Sequence, residues 1–241
     1  MNIKIQTQPT ALDQNIGFET QAVRLFRKLE FEILSGKLQP GQRLVRRELC
    51  IRFGLSQATV SEALWRLESD GMAESAPMYG TRVLPITVEK LSDELMLRQA
   101  LECQIARMVA GLIKPSHIQH LEELADQVDT LLAGATDYSM ENMQIHQEFH
   151  LEIARLSGSA LLLRELERSW RRHFMFFSWV SASVYPSPPQ WHRQLLLALQ
   201  TRNPDTAEHA MREHVLFGSA HQLKVLEKIQ SEKMERSLDS V

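Results

Sequence analysis

The stretch that most constrains this chain lies within residues 43–83, where two short helical patterns are followed by a hairpin pattern. The apolar positions of the first pattern, spaced four apart, are Val45, Leu49 and Phe53. Gly54 ends that helix, Ser56 is a suitable N-cap for the next one, and Gly71 follows its end. Two short helices joined by a glycine-containing turn favour a helix-turn-helix, whose second helix can enter the DNA major groove.

A short hairpin is predicted after the second helix. Residues 73–76 and 81–84 read as two strands around a glycine-containing loop, which would form a wing. Exposed positions of the two helices and the loop are the candidate DNA contacts: Arg46, Arg47, Ser56, Gln57, Thr59, Ser61 and Gly80. The predicted partner is therefore double-stranded DNA.

This segment resembles the winged helix-turn-helix of the GntR family of bacterial transcription regulators. The matching residues are Ile33-Leu34-Ser35-Gly36-Lys37-Leu38-Gln39-Pro40-Gly41, Leu44, Glu48-Leu49, Gly54-Leu55-Ser56, Val60, Glu62-Ala63-Leu64, Leu67, Gly71 and Gly80-Thr81. The resemblance implies a DNA-binding regulator, and we expect a repressor. Gln57 and Ser61 occupy positions where the family usually has arginine, whereas Arg47 matches a family contact position. A Gln57 amide can still pair with the adenine edge.

Composition and charge favour two domains. The chain has 241 residues, of which 44% are hydrophobic and 24% charged, and residues 1–84 carry a net charge of +2 against −5 for the rest. We expect a mobile tail over residues 1–18, the DNA-binding domain over 19–85, a second domain over 86–230 and a fraying tail over 231–241. Two cysteines and no long apolar run predict a cytoplasmic protein without a disulfide or membrane span.

The second domain reads as all α-helical, so the predicted fold class is mainly α, with a winged helix-turn-helix followed by a helical bundle. Periodicity and Gly or Pro stops predict six helices near residues 88–113, 116–133, 139–157, 161–183, 189–201 and 205–229. A bundle of this size has room for a pocket between its helices.

Four histidines are the candidate metal ligands. His146 and His150 are one helical turn apart on an otherwise apolar stripe, and His192 and His214 lie on the apolar stripes of two other helices. Imidazole is a common ligand for divalent metals, so convergence of the four would form a metal site. A single histidine on such a stripe is more often a core residue.

This half resembles the FCD effector domain of FadR-like GntR regulators. The matching residues are Arg98, Leu101-Glu102, Phe149-His150, Ser157-Gly158, Leu161-Leu162, His192, Leu196, Ala198-Leu199, Ala210-Met211 and His214. The resemblance implies a divalent metal held by an aspartate and three histidines, with His146 in place of the aspartate. His146 either ligates as a fourth imidazole, which we favour, or swings aside. A nitrogen-only site favours Zn²⁺ or Ni²⁺ over Mn²⁺ or Mg²⁺.

Arg98 lies among the core-facing residues of its helix, so its guanidinium needs a partner. That partner is either Glu102, one turn along, or the carboxylate of a small effector, and the family position favours the effector. We therefore expect a homodimeric regulator that binds a two-fold operator, a divalent metal and a small organic acid. The alternatives are a metal-dependent helical-bundle enzyme and a regulator whose metal is purely structural.

Overall fold

The computed structural model describes residues 19–76, 79–134, 140–180 and 188–238. The tail expected over residues 1–18 lies outside them. In chain order the elements are α1 Gln21–Leu34, α2 Arg46–Phe53, α3 Gln57–Ser69, β1 Ala73–Ala76, β2 Gly80–Val83, α4 Val88–Val109, α5 Pro115–Gly134, α6 Met140–Leu156, α7 Ala160–Val180, α8 Trp191–Gln200 and α9 Pro204–Leu238. The predicted mainly α fold with one small hairpin is confirmed.

The predicted helix-turn-helix and wing form the N-terminal domain. Gly54 ends α2 in the left-handed conformation, with φ 63°, where a residue without Cβ avoids strain. The Ser56 hydroxyl accepts a hydrogen bond from the backbone N–H of Thr59 and so caps α3. β1 and β2 pair antiparallel, with Ala73 opposite Val83, which confirms the predicted hairpin.

Helices α4 to α9 build the second domain around a continuous apolar core. Helix α4 ends at Val109, earlier than the Ile113 expected, because the chain turns there through Gly111 and the backbone N–H of Leu112 bonds back to Val109. Helix α9 runs to Leu238, beyond the end near residue 229 that the sequence predicts, and the fraying tail expected from residue 231 stays a prediction. Residues 230–238 contain neither Gly nor Pro and are rich in helix-forming Glu, Lys, Met and Arg.

The two domains share a second core, so the DNA-binding domain packs directly on the bundle. Apolar residues of α1 and α3 lie in one cluster with Leu91 and Leu95 of α4, Met175 and Phe176 of α7, and Leu226 of α9. Helix α7 therefore contacts both the interior of the bundle and the DNA-binding domain.

Candidate functional site

The first candidate site is the outer face of helix α3 with the start of α2. Gln57 is exposed at the beginning of α3, and Ser61, one turn along, is half-buried. The hydroxyls of Ser56 and Thr59 lie 2.9 Å apart, and Ser56 also caps the helix. The structure therefore gives these two side chains a role in capping α3. Contact with DNA would be a second role for each of them.

Exposed cations and the wing tip flank this face. Arg46 and Arg47 are both exposed in the first turn of α2. Gly80 is exposed at the wing and has φ 72°. Trp65, on the outer side of α3, is 64% exposed. The arrangement is compatible with DNA contact, and the role of each residue stays a prediction.

The second candidate site is the histidine cluster inside the bundle. His146 and His150 project from α6, His192 from α8 and His214 from α9. His150, His192 and His214 are buried and His146 is half-buried. One ligand nitrogen from each ring lies within 4.8 Å of the others, and Nε2 of His146 is 3.2 Å from Nε2 of His150. The structure thus brings together all four predicted ligands.

A carboxylate lies beside Nδ1 of two of the four histidine rings. Nδ1 of His192 lies 2.7 Å from Oδ1 of Asp129, on α5, and Nδ1 of His150 lies 2.6 Å from Oε2 of Glu102, on α4. A carboxylate at Nδ1 favours the tautomer with its proton there, which leaves the Nε2 lone pair free for a metal. Both rings therefore present Nε2 toward the cluster.

The cluster fits a divalent metal. Nε2 of His192 and Nδ1 of His214 are buried without a hydrogen-bond partner among the described residues. Bonds of about 2.0–2.1 Å place two nitrogens of a tetrahedral site about 3.3 Å apart, which agrees with the 3.2 Å between His146 and His150. A shared ion would satisfy these unpaired nitrogens.

Burial favours the neutral form of His146, His192 and His214. Desolvation, followed by the neighbouring histidines, lowers the pKa values of His146 and His214 well below 6.5. Desolvation also lowers the His192 pKa, although Asp129 opposes it. Burial by itself would raise the Glu102 pKa, but His150 and Arg98 bring it down to about 2. A metal binds the neutral imidazole, so the lowered pKa values of these three histidines favour ligation.

Arg98 is buried, and its partner in the structure is Glu102. Its Nε donates to Oε1 of Glu102 at 2.6 Å, and its Cζ lies 4.2 Å from the ring centroid of Trp170. The structural partner proposed from the sequence is thus present. Because this bond uses only Nε, it does not occupy the two terminal nitrogens, and the effector role stays a prediction.

Sequence reasoning missed four residues that shape the cluster. Asp129 carries no motif, and Glu102 was considered only as a partner for Arg98. Trp170, which the sequence analysis did not single out, lies 5.1 Å by ring centroid from both His146 and His150. His173, which the sequence analysis did not place in the site, is 6% exposed and lies 5.4 Å by ring centroid from Trp170. The helical spacing of Trp170 and His173 was the only available signal.

The carboxylates nearest in sequence to His150 do not serve the cluster. Glu148 and Glu152 both accept hydrogen bonds from Nη1 of Arg155, at 2.6 Å and 2.8 Å. Glu102 and Asp129, which do lie beside the cluster, each contact the outer nitrogen of a histidine. This arrangement suits ligand positioning and offers no separate carboxylate in the described part of the site as a hydrolytic base.

Comparison with known proteins identifies the family. Residues 21–83 match the model of the bacterial regulatory proteins of the gntR family, and residues 93–217 match the FCD domain. The chain is a GntR-family regulator with an FCD domain. Its domains and curated relatives are those of transcription regulators, so the enzyme alternative has no support from them.

Relatives and a solved structure agree with this assignment. The chain is 27% identical over 200 residues to the HTH-type transcriptional repressor RspR of Escherichia coli (strain K12), covering 80% of this chain and 84% of that protein. The regulator McbR of the same strain is 25% identical over 190 residues, covering 77% and 85%. The solved E. coli McbR/YncC structure shares the fold, with a TM-score of 0.67 at 22% identity, covering 86% and 98%. No helix in the described ranges is long and apolar enough to cross a membrane.

Proposed function

We propose that this GntR-family regulator is a homodimeric repressor whose affinity for a two-fold operator depends on a divalent metal and a small carboxylate effector. The observation that carries the proposal is the convergence of four imidazoles, two of them held at the outer nitrogen by a carboxylate. The repressor assignment follows the printed name of the relative RspR. Because the proposed target is chromosomal DNA, we place the protein in the cytoplasm.

The four histidines would hold Zn²⁺ or Ni²⁺, and we propose that His146 ligates in place of the family aspartate. Its Nε2 lies beside that of His150, and its burial keeps the ring neutral. A bound divalent ion supplies positive charge and open positions for an anionic oxygen. Arg98, on Trp170 near this centre, can turn its terminal nitrogens toward the same carboxylate, since charge-assisted hydrogen bonds to carboxylates are strong.

Helix α7 offers a route from this site to the DNA. Trp170 packs against His146, His150 and Arg98, so occupation of the site acts on this side chain. One residue further on, Arg171 pairs with Asp70 at the C-terminal end of α3. A shift of α7 would therefore move the recognition helix, and in a dimer it would change the spacing of two such helices.

A DNA-binding experiment tests the proposal. Genomic fragments selected on the protein would supply a duplex, whose affinity is then measured by anisotropy for metal-free, zinc-loaded, and zinc-plus-carboxylate protein. We expect the affinity to change about 5- to 150-fold between states, and His150→Ala to bind the duplex without that response. If the affinity for the duplex is the same in all three states, the effector role is contradicted. A change in stability on zinc alone, with no effect of acids on DNA binding, supports the structural-metal alternative.

A further inference from the structure

The outer side of the recognition helix α3 carries an exposed indole. The core of the domain uses the opposite side of this helix, whose buried residues are Val60, Ala63, Leu64 and Leu67. Trp65 is 64% exposed, whereas Trp170 in the bundle is 1% exposed. A tryptophan ring gains free energy when it leaves water, because it has a large apolar surface. Most of the Trp65 surface is therefore available to a partner.

Trp65 shares this outer side with small, uncharged side chains. Ala58, Ser61 and Trp65 recur at spacings of three and four residues and so share one face, and Gln57 lies one turn before Ser61. Gln57 and Ala58 are exposed, and Ser61 is half-buried. At about 1.5 Å per residue, this face is about 12 Å long, which corresponds to about three to four base pairs at about 3.4 Å each. A helix lying in the major groove can therefore present the whole face to base edges.

The charge of α3 restricts which bases it can select. The 13 residues of this helix contain one cation, Arg66. Its Nη2 donates to Oε1 of Glu62 at 2.9 Å, and its Nε donates to the same oxygen at 3.3 Å. Guanine is most often recognised by arginine or lysine, which donate to its O6 and N7 atoms. The only cation of α3 is thus held by a carboxylate of the same helix, and the face of Ala58, Ser61 and Trp65 is without charge.

Uncharged side chains of these types match an A·T base pair. In the major groove, adenine offers an acceptor at N7 and a donor at N6, which suit the amide of Gln57. Thymine offers its 5-methyl group, which takes contacts from apolar side chains. Ala58, next to Gln57, is a small apolar side chain of this kind, and Trp65 offers a larger apolar surface two turns further along the helix.

We propose that Ala58 and Trp65 read thymine through contact with its 5-methyl group, so that α3 selects A·T pairs together with the amide of Gln57. This inference rests on the proposed binding of a duplex operator, and it adds which base pairs that operator carries beneath α3. Two alternatives are a second copy of the chain that covers Trp65 and an indole that meets only solvent. The experiment distinguishes both from contact with thymine.

Replacement of thymine by deoxyuridine tests the proposal, because it removes the 5-methyl group and retains every hydrogen-bonding atom of the base. A duplex is first selected from a random-sequence pool on the full-length protein, in the ligand state that binds DNA most tightly. Each thymine is then replaced singly, and anisotropy gives the affinity for each duplex. We expect a loss of about fourfold at each thymine that α3 contacts, which is the affinity equivalent of exposing one methyl group.

Variants assign each methyl contact to a side chain. Trp65→Ala should abolish the deoxyuridine effect at one thymine of each half-site and leave it at another, where Ala58→Ser should abolish it. Trp65→Phe, which retains an apolar ring, should keep part of the effect.

Ile51→Ala is the matched control for these variants. Ile51 lies on α2 and is 74% exposed, so this substitution also removes an exposed apolar side chain from the DNA-binding domain. Its affinity for the duplex and its deoxyuridine effects should equal those of the wild type. The three substituted positions are exposed, and melting curves check that each variant is folded.

The outcomes separate this inference from the proposed function. If a selected duplex binds but no deoxyuridine weakens binding, or if the losses persist in both Trp65→Ala and Ala58→Ser, only this inference is overturned. Conversion of a dimer to a monomer by Trp65→Ala alone, measured by light scattering, would assign the indole to a second copy and would also overturn it. If selection yields no preferred duplex in the metal-free, zinc-loaded or zinc-plus-carboxylate state, operator binding itself is wrong, and this inference fails with it.

Discussion

Oδ2 of Asp70, at the end of the recognition helix α3, lies 3.1 Å from Nη2 of Arg171 on α7. Arg168 contacts the same carboxylate at 3.2 Å, and Nη1 of Arg172 donates to the backbone oxygen of Asp70 at 3.2 Å. Three half-buried arginines of α7, at positions 168, 171 and 172, thus hold one end of α3. The DNA-reading element and the helix that carries Trp170 are joined at this point.

A substitution at Gly71, which follows α3, tests how closely the backbone there approaches α7. A Cβ there would lie 2.7 Å from Cδ of Arg172, and the residue has φ +71°. Nε of Arg172 donates to Oε2 of Glu94. We expect Gly71→Ala to destabilise the protein by about 2–3 kcal/mol, from backbone strain and from displacement of Arg172 from Glu94. A melting curve should show this as a fall of several degrees.

Gly54→Ala is the matched control for that substitution. Gly54 also has positive φ, at 63°, but an added Cβ meets nothing within 4 Å. Its cost should be about 1–2 kcal/mol, from backbone strain alone. Equal melting temperatures for the two variants would show that the Arg172 contact contributes nothing to stability.

Asp129 should control metal affinity through His192. Asp129→Asn removes the charge that holds Nδ1 of His192, and we expect zinc affinity to fall about 10- to 100-fold. Asp126→Asn is the control, since Asp126 is on the same helix and pairs with Arg193. Competition titration with a chelator measures both. An unchanged affinity in Asp129→Asn would mean that His192 is not a ligand.

The lowered histidine pKa values set the pH dependence. Four ordinary imidazoles with pKa near 6.5 would release about two protons on binding zinc at pH 6.5. Because the pKa values of His146, His192 and His214 are lowered, we expect release of less than about one proton at that pH. Calorimetry in buffers of different ionisation enthalpy measures the number, and a release near two contradicts burial of these rings.

The same shifts affect the metal-free protein with a definite sign. Folded-state pKa values below the unfolded value mean that the unfolded chain binds more protons as pH falls below about 6.5. Stability should therefore decrease as pH falls from 6.5 toward the lowered pKa values of His146 and His214. His214→Phe should reduce this slope in melts between pH 7 and 5, and an unchanged slope would assign it to other groups.

The affinity for DNA should depend less steeply on salt than it would with arginine at positions 57 and 61. Gln57→Arg with Ser61→Arg adds two cations to the outer face of α3, and each new phosphate contact should steepen the slope of log K against log salt by about 0.9. If Arg47 contacts phosphate, Arg47→Ala should weaken binding to every duplex. If Arg47 contacts a base, the substitution should instead reduce the sequence specificity at that one base pair. An unchanged slope in the double variant means that these positions do not reach phosphate.

Local rules predicted most of the fold. The Gly54 stop, the Ser56 cap and the spacing of apolar residues depend on neighbours in sequence, so the helix-turn-helix followed from them. The end of α9 was missed because no Gly or Pro marks it before Leu238.

Long-range contacts explain what the sequence could not show in the site. Helical periodicity placed His146, His150, His192 and His214 on inward stripes, and the bundle brings them together as expected. It could not show that Asp129 of α5 meets His192 across 63 positions of chain, because that contact depends on how the helices pack. The relation of α7 to Asp70 depends on packing in the same way.

The central claim is that the four histidines form one divalent-metal site, and melting curves with elemental analysis test it most directly. We predict about one zinc or nickel ion per chain, and a stabilisation of roughly 2.7 kcal/mol when the metal is at about 100 times its dissociation constant. His150→Ala and His214→Ala should lose most of that gain, while His146→Asp should retain it. Identical melting temperatures with and without Zn²⁺ or Ni²⁺, together with no metal in untreated protein, would contradict the site.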